Sequence, residues 1–222
     1  MWAVIPVKRP DAAKQRLAGL LSPMARAALV AAMLEDVLEA LAGCASIARR
    51  SIVRSDLAFS DLERRYDVEV IVEPRNGLRR ALRSAARHLR RAGANSMLIV
   101  PGDVPTVTAA ELHTVTDDHT QMTVVSDSDG NGTNALAVTP PDLIPFLYGE
   151  GSYSAHVAAA AARGISARTL RLPGLELDID TPADLHELIR RGSGTRAGML
   201  AAELMRGIAI EHARPNGTVG AL

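Results

Sequence analysis

The sequence predicts an α/β fold in one domain, and three observations carry that prediction. Short apolar runs alternate with longer amphipathic stretches, the rhythm of strands interleaved with helices. The 222 residues suffice for a single well-covered core. No internal repeat and no linker-like shift in composition divides them, so residues 1–222 read as one unit, with 192–222 a loosely held C-terminal extension.

The elements follow in order. Trp2 to Val7 reads as a buried first strand. Ser22-Pro23 is an N-cap with proline at the first helical position, and the helix presents Met24, Ala27, Ala28, Ala31, Leu34, Leu38 and Leu41 before stopping at Gly43. Val68 to Val72 is a strand closed by Glu73-Pro74-Arg75-Asn76-Gly77. Leu78, Ala81, Leu82, Ala85 and Leu89 mark a helix ending at Gly93. Met97 to Val100 is a strand running into Pro101-Gly102-Asp103-Val104-Pro105, with a helix starting near Thr108. Met122 to Val125 and Ala135 to Val138 read as strands around a polar loop. Ala155 to Arg163 is a helix, Thr169 to Leu172 a strand, and Thr181-Pro182 caps a helix reaching Arg191. Met199 to Met205 is a short helical stretch in the tail.

Composition narrows the function classes. An apolar fraction of 47% and a charged fraction of 23% belong to a soluble globular protein. A formal net charge of zero gives no pointer to nucleic acid or membrane. The single cysteine, Cys44, excludes an intrachain disulfide and a cysteine-rich metal site. No run reaches membrane-spanning length, and the apolar N-terminal run precedes Lys8, the wrong order for a signal peptide. A cytoplasmic setting is the resulting expectation. Among the 25 basic residues only Lys8 and Lys14 are lysine, and both fall in one loop. An ammonium is a compact point charge on a flexible stem, suited to following a phosphate. The arginines of the Leu78 helix lack interleaved aromatics and read as a solvated face.

In open α/β sheets ligands collect beyond the carboxyl ends of the strands, and four loops fall there. Pro6 to Leu17 carries Lys8, Arg9, Lys14 and Arg16 without a Walker signature, so it suits a triphosphate or is simply a solvated basic loop. Asp103 stands just past an apolar strand, placed for a divalent metal or for capping the next helix. Asp127 to Asn134 lacks the terminal glutamate of a calcium loop. It reads as a hairpin turn, or as a nest in which Gly132 and Thr133 turn backbone N–H groups to an anion. Gly149-Glu150-Gly151-Ser152 precedes a helix whose N–H groups would join that site. In Leu177-Asp178-Ile179-Asp180, residues two apart point the same way, so the paired carboxylates call for a cation between them. Magnesium fits such oxygen ligands. Alternatively Asp180 partners the following helix, capped by Thr181.

Together the sets Ile5-Pro6-Val7-Lys8, Lys14-Gln15-Arg16-Leu17, Pro101-Gly102-Asp103-Val104-Pro105, Gly130-Asn131-Gly132-Thr133-Asn134, Gly149-Glu150-Gly151-Ser152 and Leu177-Asp178-Ile179-Asp180-Thr181-Pro182 resemble the CofC/FbiD guanylyltransferases of coenzyme F-420 biosynthesis. The resemblance runs from Met1 to about Leu188. It implies a Rossmann-like, GT-A-like nucleotidyltransferase fold with a mixed, mostly parallel central sheet flanked by helices. It also implies GTP, magnesium and a small phosphorylated acid: 2-phospho-L-lactate, phosphoenolpyruvate or 3-phospho-D-glycerate. By motif position Asp103, Asp178 and Asp180 would hold metal, and Thr133, Gly149 and Ser152 the acid. Lys8, Lys14 and Arg16 would face the triphosphate. Pro6, Val7, Lys8, Asn76 and Gly77 would line the nucleotide. Arg79 stands where the family often has asparagine, so Asn76 would take over part of the guanine or ribose contact.

The implied reaction is in-line displacement by the acid's phosphate at the α-phosphorus of GTP. Two other readings stay open. Asp178-Ile179-Asp180 matches the Asp-x-Asp pattern of metal-dependent glycosyltransferases, and a non-catalytic nucleotide-binding module would bind GTP without consuming it. A homodimer is the base-rate expectation for assembly.

Overall fold

The computed structural model describes residues 1–7, 14–54, 60–73 and 77–213. Its sheet has seven strands: β1 (Trp2–Pro6), β2 (Arg49–Arg54), β3 (Glu69–Val72), β4 (Met97–Ile99), β5 (Met122–Ser126), β6 (Thr133–Val138) and β7 (Arg168–Leu170). Their order is β3-β2-β1-β4-β6-β5-β7. All neighbours are parallel except where β6 pairs antiparallel with β4 and β5. The mixed, mostly parallel sheet is therefore as expected. The reversal of β6 brings its first residues, Thr133 and Asn134, to the edge where the other strands end, because Ile99 pairs with Leu136 and Met97 with Val138.

The helices are α1 (Pro23–Gly43), α2 (Ser60–Arg65), α3 (Leu78–Arg91), α4 (Ala109–Thr116), α5 (Ser152–Ala161), α6 (Pro173–Glu176), α7 (Pro182–Arg191) and α8 (Arg196–Ala213). Strand alternation sorts the core into two faces. Ala3 and Ile5 of β1 join Leu34, Leu38 and Leu41 of α1, while Val4 points the other way to Leu82, Ala85 and Leu89 of α3. The Ser22 hydroxyl accepts from the Ala25 N–H, and Pro23 occupies the first turn, so α1 starts where its capping signal stands.

A third apolar cluster lies away from the sheet. Leu17, Leu29, Met33, Leu177, Ile179, Leu185, Leu188, Ala197 and Ala201 are all buried in it. For residues 196–213 it replaces the expected loose extension, whose last residues, 214–222, lie outside the described residues. α8 runs over eighteen residues and packs against α1 and α7. Its first turn is fastened by Asp36 of α1, whose carboxylate accepts the Arg196 and Ala197 N–H groups. Because Leu17, Leu177 and Ile179 share the cluster, the same packing anchors the turn after Lys14 and the segment carrying Asp178 and Asp180.

Of the strands and helices, β2, α2 and α6 lack a sequence signal. β2 is arginine-rich, and its buried Arg54 is paired with Glu63 of α2 at 2.6 Å, so charge hides the apolar alternation. The solvated reading of α3 holds for Arg90, which meets Asp142 at 2.5 Å with both side chains about half exposed. Among the described residues no helix is long and apolar enough to cross a membrane.

The C-terminal packing yields a test. Ala201→Asp places an unpaired carboxylate in the third cluster, costing about 3 kcal/mol. At about 2–4 °C per kcal/mol for this size, the thermal midpoint should fall by about 10 °C by calorimetry. A fall below about 2 °C would show α8 to be dispensable.

Candidate active site

Asp103 and the Asp178/Asp180 pair, some 75 residues apart in sequence, come together. In the segment after α6, Leu177 and Ile179 turn into the third cluster, so Asp178 and Asp180 turn out of it. The Ile179 N–H donates to the Asp103 carbonyl at 3.0 Å, joining this segment to the loop after β4. The capping alternative fails for Asp103 and holds in part for Asp180, whose backbone N–H donates to Asp184 Oδ2 at 3.0 Å below the Thr181 cap while its carboxylate turns to Lys14. α4 is capped by a reciprocal Thr108–Glu111 box, and α7 by a Thr181–Asp184 box.

A cation does stand among the carboxylates, between Asp103 and Asp180: it is Lys14. Its ammonium donates to Asp103 Oδ2 and Asp180 Oδ1, each at 2.7 Å, with only 6% of the side chain exposed. Burial, the largest influence, pulls the Lys14 pKa down, but attraction to Asp103 and Asp180 and the two hydrogen bonds more than offset it. The net shift is upward. Lys14 adopts a left-handed backbone (φ 53°) that opens the short 3-10 turn Gln15–Leu17. Leu17 anchors that turn in the third cluster, and Arg26 Nη1 holds the Gln15 amide oxygen at 3.2 Å. Sequence reasoning places Lys14 toward a triphosphate; in the structure it bridges the acidic side chains.

Asp178 is the electrostatically costly member. Burial, and the like charges of Asp103 and Asp180, push its carboxyl up to about 6, against a hydrogen bond from Asn134 Nδ2 to its Oδ1 at 3.1 Å. Among the described residues no three ligating side chains already stand around one point as a preformed metal centre.

Beside Asn134, Thr133 opens a second, hydroxyl-lined half of the site. Its Oγ1 lies 3.2 Å from Ser152 Oγ and 3.1 Å from His156 Nδ1, all in buried residues. Ser152 is the first residue of α5, which begins earlier than the Ala155 expected. Gly149 has φ 133°, a backbone open only to glycine at low cost, and the Arg79 guanidinium approaches it. Arg79 Nε donates to the Tyr148 carbonyl at 2.8 Å, so this exposed arginine of α3 reaches across to the residue before Gly149.

The backbone nest is a correction. The Gly132 N–H donates to Asp127 Oδ2 at 2.6 Å and the Asn131 N–H to Oδ1 at 2.8 Å, so the protein's own carboxylate fills that anion seat. At the start of α5 the Gly151 N–H is taken by Asn131 Oδ1 and the Ser152 N–H by the Gly149 carbonyl. Side-chain hydroxyls, more than these amides, remain for a ligand.

Of the other expected residues, Pro6 ends β1 and the Val7 N–H bonds the Val53 carbonyl at 2.9 Å. Gly77 precedes α3 with φ 121°, and Arg16 is exposed in its turn. Lys8 and Asn76 lie outside the described residues. Asn134, Asp127, Arg79 and His156 are not among the site residues expected from sequence. Signals that could have found them are the quoted loop for Asp127 and Asn134, the departure after Gly77-Leu78 for Arg79, and the start of the helix after Ser152 for His156.

A family model described as "Guanylyl transferase CofC like" matches residues 1–218. The chain belongs to the CofC guanylyltransferase family. It is 38% identical over 188 residues to a phosphoenolpyruvate guanylyltransferase from Sphaerobacter thermophilus, covering 84% of this chain and 91% of the relative. A 3-phospho-D-glycerate guanylyltransferase from Colwellia psychrerythraea is 35% identical, with 83% and 89% covered. In fold, the chain resembles a cytidylyltransferase from Leptospira borgpetersenii serovar Hardjo-bovis at TM-score 0.60 and 12% identity, covering 99% and 98% of the two chains. A CofC member is a nucleotidyltransferase, so the glycosyltransferase and idle-module readings of Asp178-Ile179-Asp180 fall.

The Asp178 environment sets a pH-dependent stability effect. Its folded pKa of about 6 lies above the ordinary 3.8, so the fold favours the protonated form. Ionisation therefore costs nothing below about pH 4, costs increasingly between 4 and 6, and costs fully above 6. Without divalent metal, Asp178→Asn should raise the thermal midpoint at pH 7.5 by a few degrees, about 1–2 kcal/mol after discounting for solvent screening. The gain should vanish at pH 4. Equal midpoints at both pH values would contradict the strained carboxyl.

Proposed function

We propose that the chain condenses GTP with a small phosphorylated three-carbon acid, releasing pyrophosphate and a guanosine diphospho-linked acid. The acid is phosphoenolpyruvate, 3-phospho-D-glycerate or 2-phospho-L-lactate, and the place of the reaction is coenzyme F-420 biosynthesis in the cytoplasm. The single observation that carries the reading is the meeting of Asp103, Asp178, Asp180 and Lys14 at the strand-end edge, one residue removed from the Thr133–Ser152 hydroxyls. Asn134 binds Asp178 and Thr133 precedes it, so the acid's seat adjoins the acidic cluster. The names of two relatives support the first two acids.

The residues present fit magnesium. Three converging carboxylates, one of them held up to about 6, form a site in which added positive charge is favourable. Asp103, Asp178 and Asp180 would hold the ion, which would supply charge neutralisation to the phosphates. The chain's own residues do the rest. Thr133, Ser152 and the Gly149 loop seat the acid, with the Arg79 guanidinium beside it. Lys14 would exchange its carboxylates for the triphosphate, which Lys8 and the Arg16 guanidinium would also face. A phosphate oxygen of the acid then attacks the α-phosphorus, forming a new P–O bond as the bond to the β-phosphate oxygen breaks in line. The nucleophile is already an anion and needs no general base. Pro6, Val7, Gly77 and Asn76 line the nucleotide in this reading.

The test is pyrophosphate release with GTP and each acid in turn. Wild type should turn over with at least one acid. Asp103→Asn and Asp180→Asn should each lower kcat/KM by about 100-fold or more while thermal midpoints stay within a few degrees. GTP binding without pyrophosphate release by wild type, or near-normal rates in both variants, would overturn the assignment.

A further inference from the structure

His156 takes no part in that reaction scheme, yet it is fully buried and hydrogen-bonded through both ring nitrogens. We infer that His156 is a positioning residue that sets the direction of the Thr133 and Ser152 hydroxyl protons, so that this pair presents a hydrogen-bond donor to the anionic substrate. The inference rests on the proposal that the acid sits on Thr133 and Ser152.

The argument is a count of protons. The Leu147 backbone N–H points at His156 Nε2 from 2.8 Å. An amide can only donate, so Nε2 must carry a lone pair. The ring is also neutral at physiological pH, because burial, and then the Arg79 charge, push its pKa down to about 4. The single ring proton therefore sits on Nδ1 and is donated to Thr133 Oγ1 at 3.1 Å. Tyr148 meets the imidazole edge-on, with centroids 5.0 Å apart and planes at 71°, which holds the ring in that plane.

Thr133 and Ser152 together own two hydroxyl protons, and their oxygens are 3.2 Å apart. One proton is used between them. Because His156 donates, the second is not drawn inward and remains for a ligand, whichever of the two oxygens bears it. With the other tautomer the Thr133 proton would point at Nδ1 and the Ser152 proton at Thr133. No proton would then be left, and the pair would offer only lone pairs to an anion. The tautomer fixed by one backbone amide thus decides whether this half of the site attracts an anionic oxygen or repels it.

Two measurements on the full-length enzyme test this. In a histidine-selective nitrogen-15 long-range correlation spectrum at pH 7, the signal lost in His156→Asn should be a neutral Nδ1–H tautomer. An Nε2–H pattern or an imidazolium would overturn the inference, and this readout needs no variant to be active. In steady-state pyrophosphate release with GTP and phosphoenolpyruvate or 3-phospho-D-glycerate, His156→Leu should raise the KM for the acid about tenfold or more. The KM for GTP should stay within twofold. His156→Asn, whose amide can donate from near the Nδ1 position, should recover most of the loss. An active wild type whose acid KM is unchanged in a folded His156→Leu, or whose GTP KM rises equally, refutes the positioning role. A wild type that releases no pyrophosphate with any acid refutes the substrate reading instead.

Discussion

Three carboxylates from two distant parts of the chain meet at one edge of the sheet, and like charges in a partly buried place cannot stay together without a cation. In this structure Lys14 supplies it, across 89 residues to Asp103 and 166 to Asp180. The strain shows in Asp178, whose carboxyl is held up to about 6 by burial and by its acidic neighbours. The architecture around the site can be understood as whatever keeps these side chains from drifting apart. The apolar partners of the carboxylate segment and of the lysine turn, Ile179 and Leu17, share one cluster under α8. The C-terminal helix thus stabilises the site although it contributes no side chain to it.

The second constraint is topological. A wholly parallel sheet would bring only strand ends to this edge. The antiparallel β6 brings a strand beginning, and with it Thr133 and Asn134. Asn134 braces the acidic half and Thr133 belongs to the hydroxyl half, so one short run of backbone sets the spacing between the two halves. The Asp127 carboxylate, by filling the nest formed by Asn131 and Gly132, gives the loop before β6 a fixed shape.

Period-two alternation made the acidic pair readable in advance: Leu177 and Ile179 had to go inward, so Asp178 and Asp180 had to face out together. The strands around apolar runs and the cap of α1 were legible for similar local reasons, whereas the grouping of Thr133 with Ser152 came from the family resemblance. What stayed hidden depends on pairing across long separations. Nothing near Lys14 in sequence says that its partner is a carboxylate and not a phosphate. The arginines of β2 obscure a strand because one of them, Arg54, is buried against Glu63. The nest was read one residue along, at Gly132 and Thr133, and the carboxylate that binds the Asn131 and Gly132 amides lies in the same loop, where it looked like a turn residue. His156 could be placed at the start of a helix near the Gly149 loop, but its role could not be read, because it depends on the Leu147 amide behind it and the Thr133 hydroxyl in front.

The central claim is that Asp103, Asp178, Asp180 and Lys14 form one electrostatic unit in which a divalent cation and nucleotide phosphates displace the ammonium. Anomalous diffraction from crystals grown with manganese and GTP tests it most directly. The account predicts an anomalous peak at coordination distance from these carboxylates, with Lys14 Nζ withdrawn from between Asp103 and Asp180 toward the phosphates. A peak elsewhere, with both Lys14 ion pairs intact while GTP is bound, would contradict it.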